Sequence, residues 1–390
     1  MNYVFISPDF PSNFKYFALR LAQQGICVLG LGSENYDFLE PELKGALTEY
    51  YRVEDMEDYD QVLKACGYFT FKYGKIDRIE SHNEHWLYQD ACLRTDFNVF
   101  GFKEKDMGSI KYKSKMKEVF KKVGVPVARG KVTRDIDEAK KFIDEVGYPV
   151  CVKPDIGVGA ANTFKLNNDE ELDWFFSNEL EVDYIMEEFI EGDIHTFDGL
   201  VDRNGKMVFM NSFIYDNGVM DIVNDNLDMY YYNQIEIPED LKKYGLDIVK
   251  AFGVKEGFFH LEFFRTEEGK LIALEANLRP PGGLSMDLFN YSTDSDLYLA
   301  YAQLVSGDTL ELQEKAPYCC VYIGRKDDEG IKHVNSIEGA LIKYKDLFVY
   351  NGPIASIFSA AIGNYGIILR ANDREALEEA IQFIKLREIS

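Results

Sequence analysis

The sequence predicts a mixed α/β and α+β protein with more than one domain. Its 390 residues are more than one simple hydrophobic core usually organises, which favours two or three domains. Over residues 1–100, short apolar runs alternate with stretches of helical periodicity, which is typical of βαβ units. Further along the chain, apolar runs follow one another closely, which indicates antiparallel strands.

The N-terminal part is expected to form a small parallel sheet. Residues 3–7 (YVFIS) and 26–32 (ICVLGLG) are apolar runs typical of buried strands, and residues 77–84 contain another strand edge. Between the first two runs, residues 13–25 (NFKYFALRLAQQG) have helical spacing and end at a glycine. This order predicts a Rossmann-like βαβ domain, although no GxGxxG sequence supports dinucleotide binding.

The rest of the chain predicts helices interleaved with antiparallel strands. A lysine-rich helix is expected within residues 111–130, and residues 135–154 predict a helix followed by a strand that carries Lys153. Further elements are expected as a helix at 171–176, strands at 184–190, 195–202, 206–214, 318–324 and 365–371, and a closing helix at 373–388.

Charge and composition argue against some classes of partner. With 43 Lys and Arg against 67 Asp and Glu, the net charge is −24, which disfavours nucleic acid or a membrane as the main partner. The six cysteines form no CxxC pair and are typical of reduced core residues in a cytoplasmic protein. We expect no signal peptide and no membrane-spanning helix, because no apolar stretch approaches about 18–20 residues. A homodimer is the default assembly.

The stretch HLEFFRTEEGKLIALEANLRPPGG, which begins at His260, places charged and amide side chains among strand-forming residues. A hairpin with its turn centred on Glu268–Gly269 would pair Glu262 with Glu275 and His260 with Asn277. Strand periodicity then puts these four side chains on one face of the hairpin. A bulge at Gly269 would shift this register by one residue.

The predicted pairing suits a bound cation. Two carboxylates directly opposite each other repel, so a strand pair would hold Glu262 and Glu275 poorly unless a cation lay between them. Oxygen ligands favour Mg²⁺ or Mn²⁺, and Mg²⁺ commonly brings substrate phosphates with it. The alternative is a hairpin whose charges face solvent, and the stretch taken alone does not decide between the two.

The order of motifs along the chain favours the bound cation. Lys113 within KYKSKMKEVF, Lys153 at the start of KPDIGVGAANTF, and MEEFIEGDIH (186–195) all precede the hairpin. Together they resemble the ATP-grasp superfamily of carboxylate–amine ligases, with similarity to biotin carboxylase, carbamoyl-phosphate synthase and L-amino acid ligases. The resemblance covers about residues 105–290.

This resemblance implies a domain plan and a set of ligands. It implies a Rossmann-like domain at 1–105, an ATP-grasp domain at 106–310 with a small nucleotide-clamping subdomain at about 125–190, and an α+β portion at 311–390 that completes the catalytic part. It also implies ATP and Mg²⁺ (or Mn²⁺) as cofactors. The substrates would be a small-molecule carboxylate and a small-molecule amine.

Two lysines would contact the phosphates of ATP by the same resemblance. Lys113 would hold the first position, although Lys111 or Lys115 of the same run could hold it instead. Lys153 leaves a buried strand and would present the second point charge to phosphate oxygens. The plainer alternatives are a solvated helix start for Lys113 and a lysine whose head reaches solvent for Lys153.

Further nucleotide contacts are implied in a glycine-containing loop over the triphosphate, in a hinge beside the adenine and at a ribose- or phosphate-proximal histidine. The residues so assigned are Gly157, Gly159, Glu187, Glu188, Phe189, Ile190 and His195. Small residues would let backbone N–H groups approach phosphate. The alternatives are an ordinary β-turn, plain core residues and a structural histidine.

The hairpin would supply the metal ligands and the catalytic charge. Glu262, Glu275 and Asn277 are implied as Mg²⁺ ligands, and Arg279, two residues further on, would point at the same pocket. Its planar fork suits a carboxylate or an acyl phosphate.

The implied reaction is ATP-dependent joining of a carboxylate to an amine through an acyl phosphate, with release of ADP and phosphate. Two alternatives remain open: an ATP-dependent carboxylase that activates bicarbonate, and a nucleotide-binding regulatory module without catalysis.

Overall fold

Three β-sheets organise the chain in the computed structural model, which describes residues 1–157, 162–178, 180–216, 226–313, 315–327 and 330–388. Two are four-stranded and one is nine-stranded. No helix in these ranges is both long enough and apolar enough to cross a membrane.

The N-terminal sheet is parallel, with strand order β3-β2-β1-β4, which confirms the predicted βαβ units. Its strands are β1 (Asn2–Ile6), β2 (Cys27–Gly32), β3 (Glu49–Arg52) and β4 (Arg78–Glu80). The accompanying helices are α1 (Lys15–Gln23), α2 (Pro41–Ala46), α3 (Tyr59–Tyr73) and α4 (Leu87–Asp96), with 3-10 turns at Ser12–Phe14, Tyr36–Phe38 and Glu104–Asp106. Strand burial on both faces explains why β1 and β2 are continuous apolar runs.

Two short helices lead from this sheet to a small antiparallel sheet of order β5-β8-β6-β7. The helices are α5 (Met107–Lys111) and α6 (Lys113–Lys122), and the strands are β5 (Gly130–Val132), β6 (Val150–Pro154), β7 (Phe164–Leu166) and β8 (Tyr184–Glu188). Helices α7 (Ile136–Val146) and α8 (Asp169–Ser177) cover the sheet. The Asp135 side chain caps α7 by accepting from the backbone N–H groups of Asp137 and Glu138, which is why the helix begins there.

The nine-stranded sheet carries the predicted hairpin at one edge, in the order β14-β13-β9-β11-β12-β15-β17-β16, with β10 pairing to β9. Its strands are β9 (Asp193–Val201), β10 (Met207–Asn211), β11 (Phe213–Tyr215), β12 (Met229–Asn233), β13 (Gly257–Arg265), β14 (Leu271–Asn277), β15 (Cys319–Arg325), β16 (Phe348–Pro353) and β17 (Tyr365–Ala371). The last three strands therefore continue the sheet that holds the hairpin.

The remaining helices pack against this large sheet and the N-terminal sheet. They are α9 (Glu239–Phe252), α10 (Ser285–Thr293), α11 (Leu297–Ser306), α12 (Ile337–Lys343), α13 (Ser356–Ile362) and α14 (Glu375–Lys385). One core joins α1 of the N-terminal part to α10, α11 and the large sheet through Phe17, Phe289 and Tyr301. The N-terminal sheet and the large sheet therefore share a core, whereas the small sheet has a core of its own.

Candidate active site

The hairpin brings the predicted carboxylates together. Between β13 and β14, Glu262 lies opposite Glu275, and His260 lies opposite Asn277. These are the pairs that the sequence predicted, so the pairing is confirmed.

The strands reach this pairing through two irregularities. Gly269 in the turn has a φ of 81°, and next to the turn the ladder runs one residue out of the predicted register. Leu274, left unpaired by a second irregularity, then shifts the ladder back. Without this bulge, Glu275 would lie opposite Leu261, whose side chain is buried in the core. The bulge therefore turns Glu275 away from the core.

A cavity of about 430 Å³ lies between the small sheet and the hairpin. Its walls include residues from α6, from β6 to β9 and from both hairpin strands. Among the charged side chains and the two hinge residues in its walls are Lys113, Lys117, Lys153, Lys165, Glu187, Glu188, Phe189, Ile190, Glu262 and Glu275. Lysines and carboxylates thus face each other across one space.

Of the three lysines left open by the sequence, the cavity selects Lys113. Its Nζ lies 3.5 Å from Glu275 Oε1 and donates to the Gly157 carbonyl at 3.2 Å. Lys111 instead pairs with Glu84, and Lys115 lies over the Tyr112 ring at 4.3 Å. Of these three lysines, Lys113 is therefore the one whose side chain lines the cavity.

Sequence reasoning missed Lys117, which is also in the cavity. Its Nζ lies 2.9 Å from Glu187 Oε1, and Lys153 Nζ lies 3.0 Å from Glu187 Oε2. All three side chains are buried. Lys117 is four residues after Lys113 on α6, so helical periodicity, applied to the lysine run, could have found it.

The charges of this trio are mutually dependent. Burial alone would raise the pKa of Glu187, but Lys153 and Lys117 hold that pKa below its usual value. Burial opposes the charged form of Lys153, yet Glu187 raises its pKa above the ordinary range. Burial lowers the pKa of Lys117. One carboxylate thus pairs with two lysines that would otherwise be costly to bury, and the trio keeps one net positive charge.

At the hairpin, a buried histidine lies between two carboxylates. His260 Nδ1 contacts Asp198 Oδ1 at 2.5 Å, and its Nε2 contacts Glu262 Oε1 at 3.0 Å. Burial disfavours the charged ring, but Asp198 and Glu262 raise the pKa of His260 to about 9. Burial would raise the pKa of Glu262, whereas the His260 hydrogen bond and the nearby cations lower it. Glu262 is therefore a carboxylate anion at neutral pH.

The donor set fits a magnesium ion that is shared with a nucleotide. Glu262, Glu275 and Asn277 offer oxygen atoms from two facing strands. Within the described ranges, no three His, Cys, Asp or Glu side chains group into a complete metal centre. Mg²⁺ commonly takes one or two carboxylates and completes its shell with water and substrate phosphates, so this smaller set suits it.

Arg279 lies beyond the metal strand and outside the 430 Å³ cavity. It lines a second cavity of about 890 Å³ between the N-terminal sheet and the rest of the chain. Its Nε donates to Glu84 Oε2 at 3.0 Å, its Nη1 to the Pro280 carbonyl at 2.8 Å, and its Nη2 to Asn277 Oδ1 at 3.4 Å. The run from Glu275 to Arg279 thus passes from one cavity to the other.

Like Arg279 and Asn277, the predicted site residue His195 does not line the 430 Å³ cavity. It is buried on β9, where its neighbour Ile194 lines the cavity instead. Successive side chains of a strand point to opposite faces, so the expected contact between His195 and ribose or phosphate is corrected. Burial lowers the pKa of His195, which favours a neutral ring among structural neighbours.

The remaining predicted residues differ in how they are placed. Glu188 accepts from the backbone N–H of Arg129 at 2.8 Å and from its Nε at 2.7 Å, which leaves it less available to a ribose. Phe189 lies 4.1 Å from Lys165 Nζ, and Gly157 meets Lys113 through its carbonyl. Gly159 lies outside the described residues.

Parts of the chain are similar in sequence to known proteins. Residues 146–287 match the ATP-grasp domain. The chain is 26% identical over 242 residues to an L-arginine-specific L-amino acid ligase of Bacillus subtilis, which covers 60% of this chain and 58% of that protein. It is 28% identical over 214 residues to a 2-oxoglutarate carboxylase small subunit of Hydrogenobacter thermophilus, covering 51% of this chain and 44% of that protein. The chain thus spans about half the length of these relatives.

The fold extends the comparison to the whole chain. The crystal structure of an L-amino acid ligase from Bacillus licheniformis superposes with a TM-score of 0.75 at 15% identity, covering 98% of this chain and 96% of that one. At this identity the likeness shows a shared fold and nothing more.

Proposed function

From the ATP-grasp domain that this chain carries, we propose an ATP- and Mg²⁺-dependent ligase that joins a carboxylate to an amine. The observation that supports it best is the 430 Å³ cavity, in which three buried lysines face the Glu262–Glu275 pair. Lysines suit phosphate oxygens, and paired carboxylates suit the ion that accompanies them. A site of this kind matches a nucleoside triphosphate.

The proposed chemistry has two steps. A substrate carboxylate oxygen attacks the γ-phosphorus of ATP, the bond to the β-phosphate oxygen breaks, and an acyl phosphate and ADP form. The amine then attacks the acyl carbon, phosphate leaves, and the amine loses a proton as the amide bond forms.

The residues of this chain would act mainly by position and charge. Lys113, Lys117 and Lys153 would hold the phosphates, and Arg279 would stabilise the charge on the transferred phosphoryl group. Glu262, Glu275 and Asn277 would hold Mg²⁺, which would supply neutralisation of the phosphate charge.

The proposal includes the domain plan implied by the sequence, with boundaries at 1–105, 106–310 and 311–390. The arrangement of the sheets supports it, because the parallel sheet lies within the first unit and β15 to β17 extend the large sheet of the second. The enzyme would act on small molecules in the cytoplasm, and a homodimer remains the default assembly.

The test is ADP release measured over a panel of amino acids and small carboxylates, alone and in pairs, with MgATP. The proposal expects ADP and phosphate to be released in equal amounts with one acid–amine pair. It would be abandoned if no pair stimulates ADP release while MgATP binds, which would favour a regulatory nucleotide-binding module.

A carboxylase is the second candidate, because one relative is named as a 2-oxoglutarate carboxylase subunit. Bicarbonate is the substrate that separates the two. ADP release that requires bicarbonate and no other carboxylate would favour the carboxylase.

A further inference from the structure

We propose that Glu84 is a positioning residue that holds the guanidinium of Arg279 ready for the transferred phosphoryl group. The inference rests on the proposed function. Glu84 comes from the loop after β4 of the N-terminal sheet, whereas Arg279 follows β14. A side chain of one sheet therefore sets the orientation of a charged group that belongs to another.

The loop that carries Glu84 is itself fixed. Ser81 donates to the buried Asp90 carboxylate from its backbone N–H at 2.8 Å and from its Oγ at 2.6 Å. His82 is buried, stacks on Phe17 at 4.1 Å and lies 3.0 Å from the Tyr3 hydroxyl through its Nε2. These contacts restrict the backbone on the N-terminal side of Glu84, so the carboxylate is presented from a rigid support.

Glu84 is held by two cations from different elements. Lys111 Nζ pairs with Glu84 Oε1 and also donates to the backbone carbonyl of Glu84 at 3.2 Å. Arg279 Nε donates to the other carboxylate oxygen, Oε2, at 3.0 Å. The side chains of Lys111, Glu84 and Arg279 are only 12 to 16% exposed to solvent. Burial alone would raise the pKa of Glu84, but Arg279 and Lys111 hold it low, so the anion persists.

The contacts of Arg279 leave part of its guanidinium free. Arginine has five N–H donors in a planar fork. Nε–H is used by Glu84, one N–H of Nη1 by the Pro280 carbonyl and one N–H of Nη2 by Asn277. Among the residues that the structure describes, two donors remain without an acceptor, one on each terminal nitrogen. These two N–H groups can donate to a phosphate or carboxylate, and Glu84 fixes where the guanidinium points.

The same geometry argues against Glu84 as a receptor for a substrate ammonium group. Both carboxylate oxygens already face cations, Lys111 on one and Arg279 on the other. A third cation would enter a site whose charge is already satisfied. Glu84 therefore acts on the substrate through Arg279.

The test measures inorganic phosphate binding to the enzyme–MgADP complex by calorimetry, so that no acid or amine needs to be known. Variants are Glu84→Gln, Glu84→Asp and Arg279→Ala, with Glu57→Gln as the matched control. Glu57 contacts His85 of the same loop, but both side chains are exposed. Glu84→Gln should weaken phosphate binding about tenfold, the loss typical of one misplaced charge-assisted hydrogen bond.

Three further results separate the outcomes. MgADP affinity should be the same in the wild type, Glu57→Gln and both Glu84 variants. Glu84→Asp should restore part of the phosphate affinity, and the effect of Glu84→Gln should vanish in an Arg279→Ala background. Unchanged or tighter phosphate binding in Glu84→Gln would overturn the proposal, because loss of a nearby negative charge alone favours an anion. Failure of the wild type to bind MgADP would instead refute the proposed function.

Discussion

At the scale of single residues, the most informative contact is the sharing of Glu187 by two lysines. Lys117 and Lys153 approach its two oxygens at 2.9 and 3.0 Å in a buried place. This carboxylate is the ion-pair partner of both lysines, and a phosphate could replace it as the partner of one. The affinity for phosphates should therefore depend on each lysine separately.

Lys153→Ala should weaken ATP binding far more than adenosine binding. The variant removes a charge that faces phosphate and leaves the base-binding wall intact, and Glu187 keeps Lys117 as its partner. The measurement is calorimetric titration with ATP and with adenosine. Lys140→Ala, which removes an exposed lysine paired with Asp173, is the control. Equal weakening of both ligands would contradict a phosphate role for Lys153.

Glu275→Gln should lower turnover by orders of magnitude and leave the fold intact. One anionic ligand for Mg²⁺ is lost, whereas two facing carboxylates do not stabilise a strand pair by themselves. The measurement is ADP release against Mg²⁺ concentration, together with thermal unfolding. Glu267→Gln, an exposed position in the hairpin turn, is the control. An unfolded variant, or an unchanged Mg²⁺ dependence, would show that the carboxylate is structural.

At the scale of elements, the hairpin shows what a sequence can and cannot predict. Its existence and its pairs follow from alternation and from the Glu-Gly turn. The sequence carried no separate signal for Leu274 as the unpaired residue, because a bulge is chosen by packing on both faces. Lys117 was missed although its helical spacing predicts it, and His195 was misassigned although strand alternation from Ile194 would have corrected it.

The hairpin turn gives a stability prediction of definite sign. Gly269 has a φ of 81°, and a Cβ added there would meet no described atom within 4 Å, so Gly269→Ala introduces backbone strain without a clash. Gly269→Ala should lower the free energy of unfolding by about 1–2 kcal/mol. Gly67 lies inside helix α3, where an added Cβ would also meet no described atom within 4 Å. Gly67→Ala should therefore raise the free energy of unfolding by about 0.5–1 kcal/mol. Urea unfolding measures both, and the same sign in the two variants would contradict the turn geometry.

At the scale of the whole molecule, polar contacts tie the N-terminal part of the chain to the segments that flank the hairpin. Asn13 donates to the Gly283 carbonyl at 3.1 Å and to Asp287 Oδ2 at 2.9 Å. Arg78 Nη2 donates to Glu256 Oε2 at 2.9 Å, and its Nε donates to Oε1. The sequence predicted the domains in order but none of these contacts, because long-range pairs between charged side chains leave no periodic signal. Through these contacts the N-terminal part of the chain is held against the segments next to the hairpin.

The Arg78–Glu256 pair gives the prediction that tests this connection. Its side chains are 6% and 2% exposed, so Glu256→Gln would leave a buried arginine without its counter-charge. The expected loss of unfolding free energy is about 3–5 kcal/mol. Glu54→Gln is the matched control, because Glu54 also accepts from two nitrogens of an arginine, here Nη1 and Nη2 of Arg52. That pair lies on the surface, where a loss of about 0–1 kcal/mol is expected. Arg78→Met combined with Glu256→Gln should recover stability relative to Glu256→Gln alone, since no unpaired charge then remains. Urea unfolding followed by tryptophan fluorescence and by circular dichroism measures all four proteins. If Glu256→Gln lowers the free energy of unfolding by no more than Glu54→Gln does, this pair does not join the N-terminal part to the rest of the molecule.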